Sequence, residues 1–453
     1  MNQSYWQKTT RKKREKKVTE DILTDIVIIG GGLSGVALAY YLKDSQYRVI
    51  VVEKDEIGAH TSGHTTAKIT TLHSLLYQEI TNHYDIHQAY LYYQSNQKAL
   101  EDIQYIIKKE NIDCDFQKNT SYIYTDDPQY VKDINEQKHI FHQLRVPFVE
   151  ARNHLASLGL ENQAIFHPLK YLFALMKVCQ ESGVEFYEHS QVTHIERKDN
   201  SFLLKVNNHT IECQYLIHAT RYPFIYKGMY FMKMFQQREF VDYKDIPDSQ
   251  DSYLCIDTPI SQRPVGNGML KIDREAKDWY AQDTIPLRGI PYIGKLNKYD
   301  NEFVIYGFQK WGMTLSHVAG RLIADLILEQ DNPYEELYSC HYFSMSSAKQ
   351  YTQHMVKNIK RGYWDQRFTT KTIDDLDKKE GAVVKVNGHL KAIYKDINGE
   401  IHTMSPYCPH LKCLITFDKK SQTWLCPCHQ SVYDAYGKLL QGPSLYSLEK
   451  KDN

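Results

Sequence analysis

The chain has 453 residues, enough for about two to three domains. Lys+Arg and Asp+Glu each total 55, so the net charge is zero and no chain-wide positive field exists to favour nucleic acid. Apolar residues make up 42% and aromatics 12%, which excludes disorder over most of the length.

In chain order, a polar segment comes first, with a basic run at Arg11, Lys12, Lys13, Arg14, Lys16 and Lys17. It lacks the apolar stretch of a signal peptide and reads as a solvated arm over 1–23. The apolar run Ile26-Val27-Ile28-Ile29 predicts a buried strand. Gly30-Gly31-Gly32-Leu33-Ser34-Gly35 follows, then a helix over 36–43 and a strand over 48–52 that ends on Glu53. Helical periodicity covers 86–109, with Ala89, Tyr93, Ala99, Ile103 and Ile106 on one stripe. His83 and His87 stand four apart with Glu79 one turn earlier, a metal face if all three share a helix and otherwise a polar side. A helix is expected over 168–181, with proline at its start and Gly183 beyond its end. Short strands follow over 184–217, and 230–271 reads as strands of another sheet. A strand at 303–306, a glycine-rich turn and a helix over 315–329 close a region spanning 24–330. Residues 331–377 read as a polar connector. From 378 to 453 the pattern is short strands and turns, with hairpin signals at Asn387-Gly388 and Asn398-Gly399. No apolar run reaches the ~20 residues of a spanning helix, so no transmembrane segment is expected.

Strand, Gly30-x-Gly32-x-x-Gly35, helix, strand, acid is the dinucleotide fingerprint. The first glycine makes the tight turn, the second admits a pyrophosphate and the third lets helix pack on strand. The helix N-terminus offers N–H groups to phosphate, and Glu53 stands where a carboxylate accepts from ribose hydroxyls. An acid there argues against a 2′-phosphate. The fingerprint alone does not separate FAD from NAD.

Neighbouring residues do separate them. The stretch Gly58-Ala59-His60-Thr61-Ser62-Gly63-His64-Thr65-Thr66-Ala67-Lys68 resembles the loop that lies against the flavin in the D-amino-acid-oxidase-like (DAO) superfamily of FAD enzymes. Ile290-Pro291-Tyr292-Ile293-Gly294 resembles that family's Pro-x-Ile-Gly strand, and Gly307-Phe308-Gln309-Lys310-Trp311-Gly312-Met313-Thr314 its flavin-facing turn. The resemblance implies an α/β Rossmann-type FAD-binding domain with an interleaved α+β substrate domain. It also implies FAD held through Gly30, Gly32, Gly35, Glu53, Thr65, Thr66, Gly307, Gly312 and Met313. His60 or His64 could attach flavin covalently. His64 and Lys271-Ile272-Asp273 depart from the family pattern. Arg263, Arg288 and Lys310 are candidates to pair with a substrate carboxylate, and Tyr230 or Trp311 to wall the pocket. Catalytic residues are not legible.

Nine cysteines are too sparse for a disulfide scaffold, yet four fall between Cys408 and Cys428. Cys408-x-His410 and Cys426-x-x-His429 supply two thiolates and two imidazoles, which suits a zinc site as well. The extra Cys413 and Cys428 bring the pattern close to a Rieske [2Fe–2S] domain, a small all-β module. That resemblance implies Cys408 and Cys426 on one iron, His410 and His429 on the other, and a Cys413–Cys428 disulfide. It further implies hydroxyl donors to sulfur at Ser431 and Tyr433, and a covering loop at Gly442-Pro443. Lys412 and Gln430 stand where glycine is usual. Neutral imidazoles in place of thiolates raise the potential to about −150 to +300 mV, against about −400 mV for all-cysteine clusters.

Together the two halves resemble FAD-dependent oxidoreductases with a C-terminal Rieske domain. The resemblance implies oxidation of an amine or amino-acid-like small molecule by hydride transfer to flavin, with electrons leaving singly through the cluster to an unknown acceptor. The alternatives are a flavin/Rieske reductase fed by NAD(P)H, against which the lack of a second GxGxxG counts, and a non-catalytic redox sensor. Cys114, Cys179, Cys213, Cys255 and Cys340 read as reduced thiols, and the expected compartment is cytoplasmic.

Overall fold

The computed structural model describes residues 3–224, 227–245, 249–297, 301–341, 372–428, 431–442, 444 and 446–450. It divides into two units. One comprises Met1–Arg221 with Arg238–Tyr342, the other Tyr222–Gln237 with Phe343–Asn453.

In the first unit a short helix, α1 (Tyr5–Thr9), precedes β1 (Ile22–Ile29), whose last four residues are all buried. The glycine turn leads into α2 (Leu33–Leu42) and then β2 (Val49–Val52). β1 pairs parallel with β2 on one side and with His209–His218 on the other, in the registers Ile26↔Val49 and Ile22↔Ile211. The sheet runs Tyr292–Lys295, Glu302–Tyr306, His209–His218, β1, β2, Glu185–Tyr187. Its central strands are covered on both faces, which is why they read as continuous apolar runs. The helices Ile86–Lys109 and Pro168–Glu181 have the expected bounds, with Tyr92 rather than Tyr93 fully buried on the first.

A second, eight-stranded sheet includes Gln117–Thr125 and Ala156–Ile165, antiparallel partners that hydropathy did not reveal. The inward positions of Gln117–Thr125 include Asn119, Ser121 and Thr125, so the buried face carries too little apolar character to show the alternation. On the same sheet the region expected as strands from 230 begins later. Lys227–Met232 is a 3-10 turn, and the strand is Met234–Lys244.

The arm before β1 is solvated only in part: Arg11, Lys13, Arg14, Lys16 and Lys17 are exposed, while other positions are anchored. Ser4, Trp6 and Val18 are buried, and Trp6 joins the main core. Further along, the buried Glu188 carboxylate takes Lys12 Nζ at 2.5 Å and Glu15 N at 2.9 Å. Lys16 pairs with Glu185 at 2.6 Å. Two members of the basic run, Lys12 and Lys16, thus have acidic partners on Glu185–Tyr187 and the turn after it. A charge count alone does not reveal this complementarity.

The segment 331–377 also begins as folded chain. Glu335–Tyr338 is helical, and Leu337, Tyr338 and Cys340 are buried. Beyond it the second unit forms a three-stranded antiparallel sheet, Glu380–Val386, His389–Lys395 and Ile401–Met404. A four-stranded sheet follows, Thr416–Asp418, Thr423–Leu425, Val432–Asp434 and Leu439–Gln441. Asn387 and Gly388 join the first two strands with φ of 49° and 83°, the positive pair that a type I′ hairpin turn demands. Trp424, Tyr433 and Met404 centre a small core that also contains Cys408 and Cys426.

Candidate functional site

The glycine turn is shaped by what cannot fit there. A Cβ on Gly35 would lie 2.0 Å from Gly30 O. One on Gly30, at φ +116°, would lie 2.5 Å from Ala219 O. A Cβ on Gly32 would meet only Ser62 Oγ, at 3.2 Å, so the bare backbone leaves room for a ligand. No side chain caps α2 at Gly32, and Leu33 N donates to Ser62 Oγ at 2.9 Å. Glu53 is buried and its carboxylate accepts from Gly31 N (2.8 Å) and Asp55 N (3.0 Å), which fixes it beside the turn. The set fits the pyrophosphate and ribose of a dinucleotide.

The loop 58–68 follows directly. His64 is buried, its Nδ1 meets His60 O at 2.8 Å, and burial lowers its pKa to about 4. His60 pairs instead with Asp55 at 2.6 Å. Thr65 and Thr66 are half-buried in this loop. Gly307 has φ +85°, and Gly312 and Met313 open the helix Gly312–Ile327. Two links tie loop and turn to the strand Trp279–Pro286: Thr61 Oγ1 donates to Gln282 O at 3.1 Å, and Gln309 N to Thr284 O at 3.0 Å. Trp311 stacks face to face on His73, 4.5 Å between centroids.

Between these links lies a charge cluster that the sequence did not single out. Arg238 stacks on Tyr280 at 4.0 Å with Nη2 3.5 Å from Gln282 Oε1. Burial lowers Arg221 to about 10, with Tyr280 and Asp283 opposing the shift. Burial, reinforced by Glu239, raises Asp283 to about 6 against the pull of Lys310 and Arg221. Lys310 is paired with Glu239. Arg221, Arg238 and Asp283 are half-buried as residues, with Arg221 Nε and Arg238 Nε and Nη1 shielded from solvent.

Two of the three expected carboxylate partners are committed elsewhere. Arg263 Nη1 donates to Ala67 O and Phe166 O, at 2.8 and 3.2 Å. Arg288 serves the carbonyls of Ile290, Pro291, Tyr338 and Ser339. Tyr230 belongs to the second unit, where Lys233 lies over its ring. His83 ends the helix Leu76–His83 and His87 opens the next, so they share no helical face.

In the second unit Cys408 and Cys426 are buried, and Cys413 is bonded to Cys428. A hydrogen bond with Cys426 holds the Cys408 thiol at about 6, assisted by Tyr433 and opposed by burial. Tyr433 Oη lies 3.1 Å from Cys408 Sγ. Ser431 Oγ accepts from Ser444 N at 3.0 Å. Burial lowers His410 to about 4, which keeps its imidazole neutral as metal ligation requires. Lys412 sits at φ +56°, which explains why glycine suits that position. A Cys408 thiol prone to ionise, a second buried cysteine and a neutral imidazole fit an iron–sulfur cluster. His429, Gln430 and Pro443 lie outside the described residues.

Residues 25–225 match the model of the FAD dependent oxidoreductase (DAO) family, and residues 366–451 that of the Rieske [2Fe-2S] domain. The chain is therefore an FAD-dependent oxidoreductase of the DAO superfamily with a C-terminal Rieske domain, and its cofactors are FAD and a [2Fe–2S] cluster. It is similar to the putative Rieske 2Fe-2S iron-sulfur protein YhfW of Bacillus subtilis (strain 168), with 28% identity over 99% of this chain and 97% of that one. The gamma-glutamylputrescine oxidoreductase of Escherichia coli (strain K12) is 22% identical over 68% of this chain and 85% of its own length. Glycine oxidase from Geobacillus kaustophilus shares the fold, with a TM-score of 0.61 at 15% identity over 71% of this chain and all of that one. Among the described residues no helix is long and apolar enough to cross a membrane.

Proposed function

We propose that the protein dehydrogenates a small amine or amino-acid-like molecule in the cytoplasm and delivers the electrons singly to an acceptor. FAD, when bound, supplies a two-electron acceptor, and the cluster a one-electron carrier. The observation that carries the reading is the half-buried charge cluster between the two loops assigned to flavin. Arg221 and Arg238 offer guanidinium groups to a carboxylate, Asp283 offers a carboxylate to an ammonium group, and Tyr280 and Gln282 fix the approach. The loss of water around this set strengthens each contact. The resemblance to gamma-glutamylputrescine oxidoreductase, a protein named for an amine derivative, supports the same class.

FAD contacts fall to Gly30, Gly32, Gly35, Glu53, Thr65, Thr66, Gly307, Gly312 and Met313. Cys408, His410, Cys426 and His429 hold the cluster, the Cys413–Cys428 bond ties its loops, and Ser431 and Tyr433 donate to its sulfurs. The domain limits 24–330 and 378–453 belong to the same proposal.

Anaerobic mixing with a panel of amines, amino acids and NAD(P)H tests it. Flavin bleaching by one amine or amino acid is expected, and bleaching by NAD(P)H alone overturns the proposal. Arg238→Met or Arg221→Met should raise the KM for that compound at least about tenfold, equivalent to about 1.4 kcal/mol, with FAD content unchanged.

A further inference from the structure

The arm before β1 touches the loop 58–68 in a way that packing alone does not require. Three side chains within one turn of the arm capture three carbonyls of that one loop. Ser4 Oγ donates to Gly63 O at 2.5 Å, Trp6 Nε1 to Thr65 O at 2.6 Å, and Gln7 Nε2 to Ala59 O at 3.1 Å. A capping box holds the donors in register, since Ser4 Oγ accepts from Gln7 N while Gln7 Oε1 accepts from Ser4 N.

The same short helix is pinned to the second sheet and to a neighbouring helix. Tyr5 stacks on Tyr243, 4.9 Å between centroids, and Trp6 packs edge-on against His167 at 4.8 Å. Thr9 Oγ1 lies 3.0 Å from His167 Nε2. The Arg263 guanidinium sits 5.0 Å over the Trp6 ring while its Nη1 holds Ala67 O at the far end of the loop. Farther along the arm, Lys12 and Glu15 N share the Glu188 carboxylate with Ile57 N, which leads into the loop. The loop is therefore gripped before, along and after its length, and the arm contributes to the first two grips.

We propose that residues 4–16 form a clasp that holds loop 58–68 in its cofactor-binding shape, with Trp6 the principal positioning residue. With three of its carbonyls held by the arm, the loop backbone is fixed in one conformation. Loop ordering that is complete before FAD arrives lowers the entropic cost of binding. Trp6 touches no reacting atom. It acts through the loop, and the proposal rests on the reading that this loop lines the flavin.

The test compares the full chain with Trp6→Ala, Trp6→Phe and Ser4→Ala. FAD affinity is read from flavin fluorescence quenching after removal and readdition of FAD, and cluster content from electron paramagnetic resonance. Trp6→Ala should weaken FAD binding at least about tenfold and change the visible circular dichroism of bound flavin, with cluster content constant. Trp6→Phe, which keeps a ring but lacks the indole N–H, should recover part of that loss, and Ser4→Ala should weaken binding by a smaller factor. Unchanged FAD affinity and dichroism in Trp6→Ala overturn the clasp. So does a loss of FAD only in step with a loss of cluster, because that reports general unfolding. A full chain that binds no FAD would overturn the reading of the loop itself, a distinct result.

Discussion

At the scale of single residues, burial changes what a side chain is for. Arg263 and Arg288 read in sequence as candidate cations for a substrate, yet both are buried and each donates to backbone carbonyls. Arg221 and Arg238 carry no pattern that marks them, because strand and turn bring them together only in three dimensions. Lys68 gives a test of such a burden. Burial lowers its pKa to about 7, Arg263 pushes the same way, Glu239 opposes, and the ammonium donates to Tyr253 O and Ser261 Oγ. Unfolded, it titrates near 10.5. Between about 7 and 10.5 the unfolded chain binds a proton that the folded one lacks, so stability from this group rises with pH across that window. Below 7 the full cost of burying the charge applies. Lys68→Met should therefore raise the melting temperature most near pH 6, by about 2 kcal/mol of stability, and the gain should fade toward pH 10. A gain that does not vary with pH would contradict this account.

Among the elements, local rules worked where one face was plainly apolar and failed where polar groups faced inward. Pro168–Glu181 was legible because proline opens it and a glycine at φ +94° follows it. Gln117–Thr125 was not, since Asn119, Ser121 and Thr125 face inward, and Asn119 and Thr125 find tertiary partners in Ser252 and Asp257. The Asn387-Gly388 hairpin provides an element-level prediction. A Cβ on Gly388 would meet nothing within 4 Å, so only its φ of 83° penalises a side chain. Gly388→Ala should destabilise the second unit by about 1 kcal/mol, read as a lower melting midpoint of the cluster's visible dichroism. Flavin dichroism should keep its midpoint. A change of similar size in both signals would mean that the turn is not local in its effect.

For the whole molecule, two units on one chain imply two separable losses. Cys426→Ser should abolish the cluster's electron paramagnetic signal while FAD content and substrate-dependent bleaching persist. Turnover with a one-electron acceptor should then fall at least about tenfold, measured as dye reduction under steady state. Undiminished transfer in that variant would show that electrons leave by another path.

The sequence by itself determined the chemistry. Gly30, Gly32 and Gly35 are marked by their spacing between strand and helix, and Cys408, His410 and Cys426 by residue type and spacing, so both cofactors were legible before any contact was known. Cofactor signatures are local because the chain must bend tightly around a pyrophosphate or present ligands a few residues apart. Tertiary structure decided what surrounds them: which arginines meet carbonyls and which lie with Asp283, and that a basic arm with one tryptophan is folded against loop 58–68. Those outcomes depend on burial and on partners distant in sequence, such as Ser4 with Gly63 and Lys12 with Glu188, and no local pattern records them.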